Sequence, residues 1–399
     1  MKESSERTIV SRRQGLRTIL GLGAGLLVHR GGFLAWSADQ DTARDEVNQL
    51  TVRVARPFDA ETPVREFTSF LTPTHHFFVR SHFGPPSPEM IGESQWKLHV
   101  GGAIERSNVF TMKSLRQFEP VTITAVLQCS GNGRAYHRPR VPGVQWERGA
   151  VGNAQWTGVR LRDVLQAAGV RAEARHVMFQ GADRPVVTAV PLFVRSIPLK
   201  KALHPDTLLA YEMNGRPLPL LHGAPLRVIT PGWMAESCIK WLTHIEVRED
   251  EASGYFMQTA YRVPVKSEHT DTGVTDNETA PVEVMPVKSL IASPENGQSL
   301  KVGPVTIQGV AWAGETRIAK VEISVDEGNT WQPTHLVGDD RLYAWRQWRC
   351  LWQATVQDTC TIVCRATDEC GDVQPAASPW NPSGFLWNGW DRVTVHVHP

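Results

Sequence analysis

Val121-Thr-Ile-Thr-Ala-Val-Leu-Gln-Cys-Ser-Gly-Asn-Gly-Arg134 joins an alternating apolar run to a glycine-rich turn. Residues 121–127 read as a strand by their period of two. Cys129 ends that strand, and the two glycines after it let the backbone bend tightly, which places the thiol at a cavity edge. Arg134, five residues on, brings a cation that can lower the thiol's pKa and favour the thiolate, the form that binds a soft metal. A strand-end cysteine before an ordinary turn is the plainer alternative. A catalytic nucleophile is another, with no local signature behind it. On this segment alone the three stay open.

Outward from the turn, residues 96–100 read as a further strand. Leu161, Val164, Leu165 and Ala168 repeat at helical spacing, with Gly169 as the stop. Residues 266–281 are polar and read as a long loop or domain junction. Beyond them the pattern changes: 305–312, 318–325, 359–366 and 393–397 alternate at period two, and Asp326-Glu-Gly-Asn329 is a turn between strands. Several short strands in so little chain mean an antiparallel sandwich, expected to be immunoglobulin-like. The 399 residues are enough for two or three domains, and no internal repeat is visible.

Apolar residues make up 41% and charged residues 21%, which excludes wholesale disorder. Forty-two Lys and Arg face forty-one Asp and Glu. The first 38 residues hold six basic and two acidic side chains, leaving the remainder slightly acidic. That excludes a nucleic-acid-coating protein, which needs a basic surface. The six cysteines, at 129, 238, 350, 360, 364 and 370, include no doubled Cys-x-x-Cys and no Cys-x-x-Cys-His, so neither a zinc ribbon nor a c-type haem is expected. In an oxidising compartment Cys350, Cys360, Cys364 and Cys370 can pair, in a connectivity that spacing does not give. For Cys364, inside an alternating strand, a buried core thiol is the plainer reading.

Ser11-Arg-Arg-Gln-Gly-Leu16 precedes an apolar stretch at 18–28 and small residues near 35–38. A charged region, a short apolar region and a small-residue exit make an export signal, too short to span a bilayer, which needs about 20 residues. The paired arginines resemble a twin-arginine signal, with Gly15 where that pattern usually has Phe. Such a route exports folded proteins, so the resemblance implies a cofactor-loaded enzyme in the bacterial periplasm. No membrane span is expected in the mature chain.

Leu127-Gln-Cys-Ser-Gly-Asn-Gly-Arg134 resembles the cofactor loop of the sulfite oxidase family of molybdenum enzymes. Phe77-Phe-Val-Arg-Ser-His82, Gly149-Ala-Val-Gly-Asn-Ala-Gln-Trp-Thr-Gly158 and Leu218-Pro-Leu-Leu-His-Gly-Ala-Pro-Leu-Arg227 are similar to further family segments. So are Gly181-Ala-Asp183, Ile239-Lys-Trp-Leu242, Phe256-Met-Gln-Thr-Ala-Tyr261 and Asn388-Gly-Trp-Asp-Arg-Val393. They stand in the family's order across the chain after residue 70. The resemblance implies an α+β chain with a twin-arginine signal at 1–38, a mixed α/β molybdopterin domain at 39–280, and an immunoglobulin-like dimerisation domain at 281–399.

Cys129 is then the ligand to molybdenum, carried on a single molybdopterin. Phe78, Val79, Arg80, Ser81 and His82 match the segment lining the pterin. Asp183, His222, Arg227, Cys238, Ile239 and Lys240 match positions that hold the pterin and its phosphate, chemistry that suits Arg and Lys cations and the hydrogen-bonding edges of Asp and His. Where the family often has Gly-Ala-Arg-Ser-Val-Lys, this chain has Met234-Ala-Glu-Ser-Cys-Ile-Lys240, with Glu236 in place of an arginine. Arg80 and Arg134 match the arginines of the substrate pocket, and Arg392 is expected as a third. Tyr261 matches the tyrosine beside the reacting oxygen and Trp146 the pocket tryptophan. Pro142 stands near where the family has a lysine.

The activity implied is oxidation of sulfite to sulfate by oxygen-atom transfer, by a periplasmic sulfite dehydrogenase working as a homodimer. The b5-type haem domain of animal members is not expected, so electrons are expected to pass to a separate c-type cytochrome. The alternative is the molybdenum subunit of a sulfur-oxidising complex acting on protein-bound sulfane sulfur. Nitrate reduction fits the export signal and the arginines less well. A metal-free binding protein would not need Cys129, Arg80, Arg134 and Tyr261 together.

Overall fold

In a computed structural model the described residues are 49–265, 278–355 and 357–399. The expected export signal and most of the polar junction lie outside them. Two five-stranded sheets build the N-terminal part. One runs Arg216–Pro217, Leu208–Met213, Val151–Arg160, Pro120–Gln128, with Arg227–Ile229 also paired to Leu208–Met213. The other runs Asn108–Thr111, Lys97–Gly102, Leu242–Arg248, His176–Gly181, Val194–Pro198, and is antiparallel except where Lys97–Gly102 meets Leu242–Arg248. Helix is scarce. The expected one spans Leu161–Ala168, buries the four apolar residues of its stripe, and ends at Gly169 with φ of 74°. Each of those buried Leu and Val side chains contributes about 1.5–3 kcal/mol relative to exposure.

The C-terminal part holds two more sheets. Lys288–Ser293, Gly303–Trp312, Arg346–Ala354 and His335–Val337 form the first. Ser299–Lys301, Asp391–His398, Gln357–Asp368, Ile318–Ser324 and Gln332–Pro333 form the second. Ile307, Trp348 and Trp352 from one face share a core with Ile323, Ile362 and Val395 from the other, so the sheets stack as a sandwich. Cys350, Cys360, Cys364 and Cys370 are all free thiols, and Cys364 is fully buried in that core.

A further core joins the two parts, with Phe67, Val126, Phe256 and Tyr261 packed against Val310, Trp312, Trp345 and Phe385. Polar contacts pin it: Trp312 Nε1 donates to Gln128 Oε1 at 2.6 Å, and Arg148 pairs with Asp391 at 2.8 Å. Gln128 immediately precedes Cys129, so the sandwich fixes the end of the cysteine strand.

Candidate functional site

Strand Pro120–Gln128 passes from a half-exposed start to a fully buried end. Cys129 then donates its N–H to Ala150 O at 2.9 Å, and Asn132 N and Arg134 N close successive turns onto Cys129 O and Gly131 O, each at 2.9 Å. Gly133 has φ of 93°, and a Cβ there would lie 2.7 Å from the Trp387 ring. Only glycine fits that backbone under that indole. Leu386 N also donates to Ser130 O at 2.9 Å, so the C-terminal part covers the loop.

Cys129 lines a cavity that is partly open to solvent. Lining it are Phe78, Arg80, Ser81, His82, Cys129, Asp183, His222, Arg227, Cys238, Ile239, Lys240 and Tyr261, twelve of the residues expected from the sequence. Elements far apart in the chain converge here. The 77–82 segment is anchored by reciprocal Ala60–Val79 backbone bonds of 2.9 Å, and Val79 itself is buried behind the lining.

Around Cys129 the charges are set by burial. Arg80 is bonded to both Asp59 oxygens at 3.2 and 3.3 Å and to Ser81 O. Desolvation opposes its charge, but Tyr261, Asp59 and Cys129 hold its pKa above the ordinary value. Tyr261 Oη and His82 Nε2 share a hydrogen bond of 2.8 Å. His82 stacks on Phe193 with centroids 4.1 Å apart. Burial, then Arg80, Lys240 and Arg195, keep that imidazole neutral by holding its pKa well below the usual one. Tyr261 has φ of 57°, a strained backbone for a bulky residue. Burial raises its phenol pKa, so it stays protonated.

Around Lys240 the chemistry differs. Its ammonium donates to Ser81 Oγ at 2.8 Å and Leu221 O at 2.9 Å, and burial, then Arg227, lowers its pKa to about 7. Arg227 donates to His222 O and Cys238 O, while its Nε is buried with no partner among the described residues. His222 shares a 3.2 Å hydrogen bond with Thr74 O through its Nε2. Burial raises Asp183 to about 6. Two cations held mainly by neutral groups, one with an unmatched N–H, fit a phosphate. The Asp, the His and the backbone groups fit the polar edge of a pterin.

Four expectations need correction. The Cys129 thiol is not made more acidic: burial pushes its pKa up, opposed first by Arg80 and only later by Arg134. Arg134 does not line the cavity. It turns away to Val144 O at 3.1 Å and Ser383 O at 3.3 Å, with its guanidinium 5.0 Å from the Phe385 ring centre. Arg392 lies elsewhere, because strand alternation buries Asp391 and Val393 and turns Arg392 outward. Its guanidinium lies over Trp390, in a second concavity lined also by Tyr136 and Trp387. Trp146 is 0% exposed and packs in the core beneath Cys129 rather than facing the cavity.

Other groups had no role assigned from the sequence, where Glu236 stood out only as a departure near the phosphate positions. Glu236 lines the cavity. Arg195, 1% exposed, lies with its guanidinium 5.5 Å from the Tyr261 ring centre and donates to Phe256 O. Asp59 is the partner of Arg80. The signal for Glu236 in the sequence was its place where the resembled segment has an arginine.

Lys240 gives a pH test. Its folded pKa near 7 lies well below the unfolded value of about 10.4. Between those values the unfolded chain holds a proton the folded one lacks, so stability rises with pH. A phosphate beside Lys240 keeps it charged and removes that contribution. From about pH 7 to about pH 9 the cofactor-free protein is therefore expected to gain more thermal stability than the loaded protein, measured by calorimetry on both. Equal gains would separate Lys240 from the phosphate.

Comparison with known proteins gives two family matches: an oxidoreductase molybdopterin binding domain over residues 83–256 and a Mo-co oxidoreductase dimerisation domain over residues 279–398. Mitochondrial sulfite oxidase of Macaca fascicularis is 38% identical over 371 residues, covering 88% of this chain and 66% of that protein. The chain thus spans about two thirds of the length of this mammalian relative. Sulfite oxidase of Arabidopsis thaliana is 35% identical over 376 residues, covering 87% of this chain and 94% of that one. The crystal structure of the sulfane dehydrogenase SoxCD from Paracoccus pantotrophus matches with a TM-score of 0.74 at 24% identity, over 95% of this chain and 96% of that one, a likeness of fold.

Proposed function

Because the chain belongs to the sulfite oxidase family of molybdopterin oxidoreductases, we propose that it oxidises sulfite to sulfate, with Cys129 as the protein ligand to molybdenum and a separate c-type cytochrome as electron acceptor. One observation carries this reading: a single cavity is lined by the Cys129 sulfur, the Arg80 guanidinium and the Tyr261–His82 pair, and also by the Lys240 and Arg227 cations. The molybdenum-molybdopterin group, when bound, supplies two-electron oxygen-atom transfer. The chain's own residues do the rest. Arg227, Lys240, His222 and Asp183 hold the pterin and its phosphate. Arg80 draws an oxyanion toward Cys129. Tyr261, kept protonated and oriented by neutral His82, offers a hydroxyl to an oxygen there. Phe78 and Phe193 exclude water from one wall.

The test is sulfite-dependent reduction of cytochrome c or ferricyanide by protein shown to contain molybdenum. No reduction would reject free sulfite. The second reading, oxidation of protein-bound sulfane sulfur, is favoured by one feature: of the three expected arginines only Arg80 lines the cavity, and Glu236 faces it. Arg392→Ala is expected to leave kcat/KM within about twofold, as for surface changes away from a site. A larger loss in steady-state assays would return Arg392 to the substrate pocket.

The same reading places the protein in the periplasm as a homodimer, paired through an immunoglobulin-like sandwich, a state that sedimentation of the exported species would check. Among the described residues no helix is long and apolar enough to cross a membrane. Changing Arg12→Lys and Arg13→Lys together is expected to hold the protein in the cytoplasm, read by fractionation of a bacterial host. Undiminished export would rule out the twin-arginine route.

A further inference from the structure

Glu236 is a buried acid that the roles above leave unused. It is 7% exposed. Its Oε2 accepts a 2.6 Å hydrogen bond from Ser130 Oγ, on the residue next to Cys129. Its Oε1 is buried, with no hydrogen-bond partner among the described residues. Among the described residues one other acid, Asp183, lines the cavity, and it belongs to the Lys240 group. The charged and titratable groups acting on Glu236 or feeling its charge are Arg195, Cys129, Tyr261 and Cys238, with Arg80 and Arg134 acting on the same sulfur and phenol. A buried carboxylate oxygen left without a donor is costly. It is satisfied either by its own proton or by an O–H brought in by a ligand.

We propose that Glu236 selects the singly protonated form of the substrate, hydrogen sulfite, with one proton shared between Oε1 and a substrate oxygen. The inference rests on the sulfite reading above. Arg80 takes the charged oxygen and Glu236 the hydroxyl, so the pocket matches a monoanion with one donor. The product does not match. Hydrogen sulfite and water give sulfate, three protons and two electrons, and the electrons pass singly to the external one-electron acceptor. Sulfate has no proton to share, and its second charge meets the Glu236 carboxylate, which favours its release. Burial pushes Glu236 up to about 7, so the group can hold or yield this proton near neutrality.

The test needs no turnover. Near pH 8 hydrogen phosphate and sulfate are both dianions of similar shape, and only the phosphate carries an O–H. Their binding to the molybdenum-loaded protein is measured by titration calorimetry. Wild type is expected to bind phosphate about tenfold more tightly than sulfate, the kind of discrimination one matched hydrogen bond provides. Glu236→Gln, which keeps the shape and the Ser130 bond but turns an amide donor to the cavity, is expected to lose or reverse that preference. Ser130→Ala, which leaves the carboxylate in place, is expected to retain it. Equal binding by wild type overturns the assignment even if no variant folds, and so does a preference kept by Glu236→Gln. Sulfite turnover without the preference overturns this inference and leaves the function standing. The preference without turnover overturns the function, and hydrogen sulfite as occupant with it.

Discussion

Cys129→Ser is expected to cut sulfite-dependent electron transfer at least about a thousandfold, the scale seen when one member of a catalytic unit is removed, while leaving pterin content close to wild type. Sulfur binds a soft, redox-cycling metal as a thiolate, and a serine hydroxyl neither ionises near neutrality nor shares that softness. In the metal-free protein burial holds the thiol protonated, so the metal has to displace the proton. The pterin should remain because its proposed holders, Arg227, Lys240, His222 and Asp183, neither touch the sulfur nor depend on it. The fold should remain because the turn at Cys129 is made by main-chain bonds to Ala150 and Asn132. Assays of turnover, of molybdenum and of acid-released pterin fluorescence separate these effects. Near-normal turnover in the serine variant would remove Cys129 from the reaction. Joint loss of pterin would place the cysteine in cofactor retention instead.

The site was legible where its chemistry is local. A strand, a cysteine and a Gly-Asn-Gly turn are adjacent in sequence, and the helix at Leu161–Ala168 announces itself by spacing. The sandwich was legible because its strands bury one face and alternate accordingly. Strand Lys288–Ser293 was not read, since five of its six residues are buried, the lysine included, and no alternation survives. Arg134 was misjudged for a different reason. Five residues from a cysteine it looks like that cysteine's cation, yet carbonyls supplied by Val144 and Ser383 hold the guanidinium elsewhere. Arg392 failed on register: in a strand with one buried face, a one-residue shift carries a side chain across the sheet. Glu236 was noticed as a departure near the phosphate positions. The structure sets it beside Ser130 instead, because the turn at Ala235–Ser237 points its carboxyl at the cysteine loop.

Arg80 carries the other large expected effect, because it answers to two partners at once. On one side stands Asp59, 1% exposed, which accepts from Arg80 and from Ser81 N at 2.9 Å. On the other side is the cavity. Arg80→Met leaves the Asp59 carboxylate buried with the Ser81 N–H as its remaining donor in this pair, and breaking a buried pair in this way costs about 3–5 kcal/mol. The same change removes the cation that faces the oxyanion, a loss of about a hundredfold to a thousandfold in kcat/KM. Adding Asp59→Asn should separate the two effects. The double variant no longer buries an unpaired charge and is expected to recover most of the stability, while its activity stays as low as that of the single variant. Urea unfolding and steady-state kinetics on both proteins read the two quantities independently. If Arg80→Met unfolds at the wild-type midpoint, the pair with Asp59 has no structural weight. If the double variant regains activity, Arg80 serves only to neutralise Asp59, and the oxyanion must be held by the cations around Lys240 or by Arg195 behind the tyrosine.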